Sequence, residues 1–295
     1  MPMPVNHPLF RPPAEANSLI LQVVCGCPHN QCAFCGMYKE VPFRRRSPDE
    51  LRRLIDAETR RWRHAQRVFL GDGDVLCLPL EELRLVLIKL AERLPQLARV
   101  NAYANGCSIM AYADDALREL RRLKLHTLYM GLESGDPATL SRMHKSDDSV
   151  ETMIAAGQRA QTTGLRISVM ILLGLAGRER SREHALATAA ALNRIQPRLL
   201  SALRVIPVPG TTLDREIGAG RFSPLTEYEV ITELKTLVEH LDLSATVFRA
   251  NHSSNIVPLE ARFPRDRRGL LNDLRALLDS GRLDTRTPGP RPFWL

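Results

Sequence analysis

Short, nearly continuous apolar runs alternate along the chain with longer stretches in which apolar residues recur at helical spacing. The run at 18–24 is the first of them, and others follow at 67–70, 100–104, 127–130, 166–173 and 199–205. Runs of this length read as strands buried on both faces, the kind that fill parallel sheets. Between them, 48–63, 80–94, 114–124, 149–163 and 182–195 carry the helical period. The punctuation agrees: Ser47-Pro48-Asp49-Glu50 places an N-cap serine before a first-turn proline, and Gly164 can close the helix before it. Six strand-then-helix units imply parallel strands with right-handed crossovers, hence an α/β fold with a partial (β/α)6 TIM-like barrel over 18–210. After Gly210 the pattern loosens into a helix at 226–241, a strand at 245–250 and a helix at 265–280 that Gly281 can close. This reads as a small C-terminal α/β extension, 211–295, expected to cover the barrel mouth. Residues 1–17, with five prolines, read as an irregular lead-in, and 284–295 as a tail rich in Pro and Arg.

In parallel α/β barrels, chemistry gathers at the carboxyl ends of the strands, where backbone donors and helix N-termini converge. The distinctive motifs of this chain all fall there. The first strand runs into Cys25-Gly-Cys27-Pro-His-Asn-Gln-Cys32-Ala-Phe-Cys35, which holds four of the six cysteines. Thiolates bind soft metals, and a Cys-x2-Cys pair with a third Cys nearby can wrap one metal centre without long-range folding. Cys27, Cys32 and Cys35 leave a ligand position open, which suits a [4Fe–4S] cluster whose fourth iron binds a small molecule. A structural zinc site closed by Cys25 or His29 is the competing reading, although the chain has no second Cys-x2-Cys to complete a zinc ribbon. Cys25 could also stand in for Cys27; otherwise it is the buried last residue of the strand.

The second strand ends in Gly71-Asp72-Gly73-Asp74, the third in Asn105-Gly106, and the fourth in Gly131-Leu-Glu133-Ser-Gly135 with Lys145 beyond it. Each alone has an ordinary explanation as a turn, a capping carboxylate or a solvated lysine. Their shared register at one edge is what points to a site. Asn251-His252-Ser-Ser-Asn255, after the last strand, suggests the substrate side of the mouth. His252 there is a candidate catalytic acid, base or hydrogen-bond donor, or else a satisfied histidine in an Asx-rich loop.

These motifs together resemble the radical S-adenosylmethionine (SAM) superfamily, over about 19–209. Its usual Cys-x3-Cys-x2-Cys carries an aromatic residue before the last Cys; Phe34 fits, and the first gap here is one residue longer. The resemblance implies a [4Fe–4S] cluster on Cys27, Cys32 and Cys35 with SAM bound to it. It further implies that Gly73 and Asp74 occupy the place of a Gly-Gly-Glu-type stretch that meets the SAM amino group through backbone. Asn105 joins the cofactor-binding set at the next strand end. Gly131 to Gly135 looks like the fourth-strand motif of the branch with oxygen-independent coproporphyrinogen oxidases, methylthiotransferases and the elongator catalytic subunit. There the Glu133 position helps bind SAM and a basic residue, matched in spacing by Lys145, pairs with the SAM carboxylate. Gly174-Leu-Ala-Gly177 looks like that branch's Gly-Leu-Pro-Gly turn without its proline. The implied chemistry is reductive cleavage of SAM to a 5′-deoxyadenosyl radical that takes hydrogen from a substrate, with flavodoxin or ferredoxin as electron donor.

The net charge of +8 admits an RNA partner or an anionic substrate. The arginines, however, are scattered through helices (Arg52, Arg60, Arg121 and others), and aromatic content is 5%, without the basic-aromatic interleaving of single-strand platforms. No apolar run approaches membrane-spanning length, and the N-terminus lacks a basic region followed by an apolar core. A cytoplasmic location is therefore expected, where thiols stay reduced. Cys77 and Cys107 read as small buried apolar residues. The expected activity is a radical SAM reaction on a small or medium-sized metabolite. Its rivals are modification of tRNA and a non-catalytic iron–sulfur or zinc scaffold or sensor.

Overall fold

A computed structural model describes residues 9–145 and 148–292; the start of the lead-in, Ser146, Asp147 and the terminal Phe-Trp-Leu lie outside the described residues. The chain divides into two compact units. The first takes the chain up to Asn30 with Met37–Met130 and Arg159–Ile167, and the second takes Gln31–Gly36, Gly131–Gln158 and Ser168 onward.

In the first unit β1 (Leu19–Gln22) leads to β2 (Val24–Cys25), which pairs antiparallel with β3 (Arg44–Arg45). Then follow α1 (Pro48–Arg61), β4 (Arg67–Gly71), α2 (Leu80–Arg93), β5 (Arg99–Tyr103), α3 (Gly106–Ala111), α4 (Asp114–Arg122) and the start of β6 (Leu125–Glu133). The main strands run parallel in the order β1-β4-β5-β6. Leu21, Val68, Phe69, Leu70 and Val100 are fully buried, as unbroken apolar runs require when both faces are covered. α1 begins on a capping box in which Ser47 and Glu50 satisfy each other's backbone N–H.

The second unit holds α5 (Pro137–Arg142), α6 (Val150–Thr162), β7 (Arg166–Leu173), α7 (Ser181–Ile195), β8 (Leu199–Arg204), α8 (Thr212–Gly218), α9 (Glu227–His240), β9 (Thr246–Ala250), β10 (Leu259–Phe263) and α10 (Arg267–Asp279), with α6 and β7 shared with the first. β7, β8 and β9 are parallel neighbours and β10 closes antiparallel on β9. Parallel strands alternating with helices make this the α/β partial-barrel class that the periodicity predicts. Among the described residues no helix is long and apolar enough to cross a membrane.

Several boundaries differ from the sequence reading. The run at 18–24 is not one strand: β1 stops at Gln22, whose side chain is drawn into a buried polar network, and Val24–Cys25 leaves to pair with β3. The fourth strand is longer than its apolar core of 127–130, because Lys124 at φ +75 turns the chain from α4 straight into Leu125. The lead-in is also more than a lead-in. Its single turn Pro13–Glu15 buries the Glu15 carboxylate, which accepts from Ser18 Oγ (2.6 Å), Asn101 Nδ2 (2.8 Å) and Tyr129 Oη (2.6 Å). Three donors are what a buried carboxylate needs.

The second unit has a clear aromatic anchor. Phe248 in β9 is fully buried and meets Phe263 of β10 edge-on, with ring centroids 6.0 Å apart. Phe248→Ala is expected to cost about 3–5 kcal/mol through lost transfer energy and a residual cavity, read as a lower urea midpoint with unchanged slope.

Candidate functional site

Within the first unit the end of β4 is fitted to the start of the cysteine loop. Asp72 is fully buried with φ +68, and its Oδ2 accepts from Gln22 Nε2 (2.7 Å) and from the Gly26 N–H (3.0 Å). Gln22 is held in turn by Arg46, which donates to its carbonyl (2.6 Å) and its side-chain oxygen (2.5 Å). The same turn brings Gly73 against the loop: a Cβ there would lie 2.5 Å from Cys27 Cα and 2.7 Å from the Gly26 carbonyl. Only glycine fits this contact. Asp74 turns inward, accepting from Leu76 N–H (3.1 Å) and from Ser108 Oγ. Its side chain thus joins the turn to α3. Asn105 sits half-buried at the N-cap of α3 and makes no cap bond with its side chain. Cys25 and Cys27 are half-buried and free.

Within the second unit, the other half of the loop is clamped through Ala33. Its N–H donates to the Met143 carbonyl and its own carbonyl accepts from Leu213 N–H, both at 2.9 Å. Ala33 and Phe34 pack with Met143, Leu175, Leu213 and Phe222. Cys32 and Cys35 flank this anchor in one turn, with the Cys35 N–H on the Cys32 carbonyl at 3.3 Å, and both are half-buried thiols outside any disulfide.

Glu133 ends β6 with φ +60, a backbone state that non-glycine residues adopt only at a cost. The turn folds its side chain back over Gly131, where a Cβ would fall 2.1 Å from Glu133 Oε1. Gly131 is therefore the residue that makes room for the carboxylate. Burial pushes the Glu133 carboxyl above its ordinary value, and the attraction of Lys145 opposes the rise. Next to it Ser134 Oγ meets His184 Nδ1 (2.7 Å) and accepts the Asp136 N–H (2.9 Å), while His184 Nε2 lies 3.6 Å from Glu233 Oε1. Glu233 also accepts the Gly174 N–H (2.7 Å) and Ser181 Oγ (2.5 Å). One buried carboxylate on α9 thereby ties together the turns that follow β6 and β7. His252 is half-buried; its Nδ1 accepts the Ser254 N–H (3.1 Å) and faces Ser254 Oγ (2.9 Å), and burial lowers its pKa. The imidazole is accordingly neutral with its proton on Nε2.

Sequence reasoning singled out Gly73, Asp74, Glu133 and Lys145, quoted Asp72, Gly131 and Ser134 only as members of their motifs, and missed Gln22, Arg46, His184 and Glu233. A buried Gln-Asp-Arg chain has no periodic signature. Cys107, expected to be buried, is exposed, and Cys77 is half-buried. Among the described residues no three His, Cys, Asp or Glu side chains stand together as a metal site. By its chemistry the donor set suits an iron–sulfur group: Cys27, Cys32 and Cys35 are thiols outside any disulfide, and a glycine gives the first of them its place.

Burial also pushes the Glu233 carboxyl up, opposed by His184, Ser181 and the Gly174 N–H. A carboxyl whose folded pKa is raised binds its proton more firmly when folded. Stability then falls as pH rises from the ordinary carboxylate range through the raised value. Glu233→Gln is expected to flatten that part of the stability curve, checked by urea midpoints across the pH series.

The sequence model of the radical SAM superfamily matches residues 21–189. Among solved structures the chain is similar to HydG, a maturase of the [FeFe]-hydrogenase, at 19% identity over 77% of this chain and 52% of that one, with a TM-score of 0.51. It is similar to coproporphyrinogen III oxidase (HemN) from Escherichia coli at 17% identity over 75% of this chain and 52% of that one, TM-score 0.59. It is also similar to methylornithine synthase (PylB) at 17% identity over 88% and 81%, TM-score 0.52. The chain spans about half the length of the first two. At such identities the likeness is one of fold. No curated protein matches the sequence.

Proposed function

The chain belongs to the radical SAM superfamily, whose enzymes use a [4Fe–4S] cluster and SAM, and from that premise we propose that it abstracts hydrogen from a small or medium-sized metabolite. The observation that carries this reading is the fit of Gly73 against Cys27 beneath the Asp72 to Gly26 hydrogen bond. A turn after the second main strand that fixes the first thiol of the loop is a device for presenting a ligand.

In this reading Cys27, Cys32 and Cys35 hold the cluster, and Phe34 packs behind the last of them. The backbone at Gly73 and Asp74 meets the amino group of SAM, Asn105 adds a polar contact, and Glu133 with Lys145 takes the rest of the amino-acid portion. When bound, cluster and SAM supply one-electron cleavage of a carbon–sulfur bond and hence the power to abstract hydrogen, with flavodoxin or ferredoxin delivering the electron. The chain's own part is positional. Ala33 fixes the turn of Cys32 and Cys35, Gly131 frees space for the Glu133 carboxylate, and Glu233 sets the turns at Ser134 and Gly174. His252 offers its Nε2 proton as a hydrogen-bond donor, and residues 211–295, which carry it, form the part that covers the mouth.

The test is anaerobic. Protein reconstituted with iron and sulfide, reduced with dithionite and given SAM is expected to release 5′-deoxyadenosine, quantified by chromatography. A fully loaded cluster that yields none with several reductants would overturn the proposal, as would stoichiometric zinc in place of iron.

A further inference from the structure

Arg204 is the last residue of β8, at the carboxyl end of the strand, and only 7% of it is exposed. Its Nε donates to the Ser254 carbonyl (2.6 Å), Nη2 to the Pro290 carbonyl (2.7 Å) and Nη1 to the Pro288 carbonyl. All three acceptors are neutral. A buried guanidinium is desolvated, and neutral carbonyls offset that cost less fully than an anion does. The carboxylate that acts on it electrostatically, Glu227, is turned to the tail: its Oε2 accepts the Asp284 N–H (3.0 Å), while its own N–H donates to the Thr287 carbonyl (3.2 Å). Residues 284–290 are thus strapped to the start of α9 and to Arg204 chiefly through backbone atoms.

Beneath the strap lies a cavity walled by Leu173, Val205, Leu213, Phe222 and Leu225, with Pro288 in its lining; Arg204 is the one charged side chain among the described lining residues. Its volume is about 20 Å³, room for roughly one water. Leu213 and Phe222 belong to the cluster that grips Ala33 and Phe34, so the cavity backs onto the segment that carries Cys32 and Cys35. Close by in sequence to the Arg204 acceptor Ser254, Asn255 donates from Nδ2 to the Ala202 carbonyl (2.8 Å), and its Oδ1 is buried without a hydrogen-bond partner. A buried acceptor left open can take a donor from a ligand.

We propose that Arg204 is the recognition residue for an anionic group of the substrate, carboxylate or phosphate, and that the strap at 284–290 is displaced by that anion. Asn255 then takes an N–H or O–H of the same molecule, so the substrate class is a small anion with a hydrogen-bond donor near its charge, such as a hydroxy or amino acid. The inference rests on the radical SAM reading, in which Lys145 is committed to the carboxylate of SAM itself. On binding, the guanidinium exchanges neutral carbonyls for an anion, which adds the attraction of opposite charges and a bidentate geometry to its hydrogen bonds.

The experiment is hydrogen exchange of the tail amides, Asp284, Thr287 and Gly289 among them, in the full chain with glycolate or inorganic phosphate, against chloride at equal ionic strength. Exchange is expected to accelerate several-fold with either probe and not with chloride. In Arg204→Met it should be fast from the outset and unresponsive; should that variant fail to fold by circular dichroism, Arg204→Lys is expected to fold and respond more weakly. Unchanged exchange in the wild type with both probes would make the strap a fixed brace and overturn the proposal. An Arg204-dependent response to SAM alone would assign the anion to SAM and overturn the substrate assignment. Deoxyadenosine formation without any anion response would sink this site and leave the radical SAM reading standing, whereas the reverse pattern would do the opposite.

Discussion

Alanine at Cys27, Cys32 or Cys35 is expected to reduce bound iron to background after reconstitution and to remove 5′-deoxyadenosine formation, a loss beyond the roughly 10–100-fold that follows loss of an outer-shell partner. Cys25→Ala, Cys77→Ala and Cys107→Ala are expected to keep both. The contrast follows from where each thiol sits. Cys32 and Cys35 flank the doubly bonded Ala33, and Cys27 rests on Gly73, so each candidate ligand has a fixed backbone. Cys25 instead belongs to β2 and is tied by its backbone to Arg44 of β3. Cys77 is pushed up to about 12 by burial and by Asp74, which keeps it a thiol rather than a thiolate ligand. Cys107 is exposed on α3 and should be the first to react with an alkylating reagent. Iron and product retained in Cys27→Ala but lost in Cys25→Ala would exchange the two assignments. Iron retained in all three of the first set would end the cluster reading.

How much of this was legible depends on what kind of force places each residue. The parallel strands and their helices were readable because burial on both faces writes itself as unbroken apolar runs, and because Ser47, Gly164 and Gly281 mark ends by local chemistry. β10 was not, since its Leu-Glu-Ala-Arg-Phe alternates exposed and buried positions over only five residues. The short helices α3 and α5 were missed for the same reason of length. At the site, glycines and cysteines announced themselves by spacing. The polar chains did not: Arg46, Gln22 and Asp72 are far apart in sequence, as are Ser134, His184 and Glu233, and only folding joins them. Glu15 is the sharpest case, a lone acid in a proline-rich segment that becomes the shared acceptor of Ser18, Asn101 and Tyr129.

Gly73→Ala tests the joint between fold and site most directly. The new Cβ would stand 2.5 Å from Cys27 Cα, 2.7 Å from the Gly26 carbonyl and 2.8 Å from Cys27 Cβ, and two of those neighbours are backbone that cannot swing aside. Either the loop lifts at Cys27 or the bond from the Gly26 N–H to Asp72 breaks. Overpacking of this kind costs about 1–3 kcal/mol, a modest shift in the urea midpoint. The functional cost should be far larger, because a displacement of about 1 Å in a positioned group can lose on the order of 10²-fold in rate. The expected signature is therefore a folded protein with poor iron loading and weakened SAM binding by equilibrium dialysis. Gly218→Ala, in α8 with nothing within 4 Å of the new methyl, should leave all three quantities unchanged. Asp72→Asn falls between, since one amide oxygen can still accept from both Gly26 and Gln22 while the amide nitrogen puts a donor in place of the other carboxylate oxygen in a buried network. If Gly73→Ala loads iron and binds SAM as the wild type does, the turn after β4 has no part in presenting Cys27, and the proposed function loses the observation that carries it.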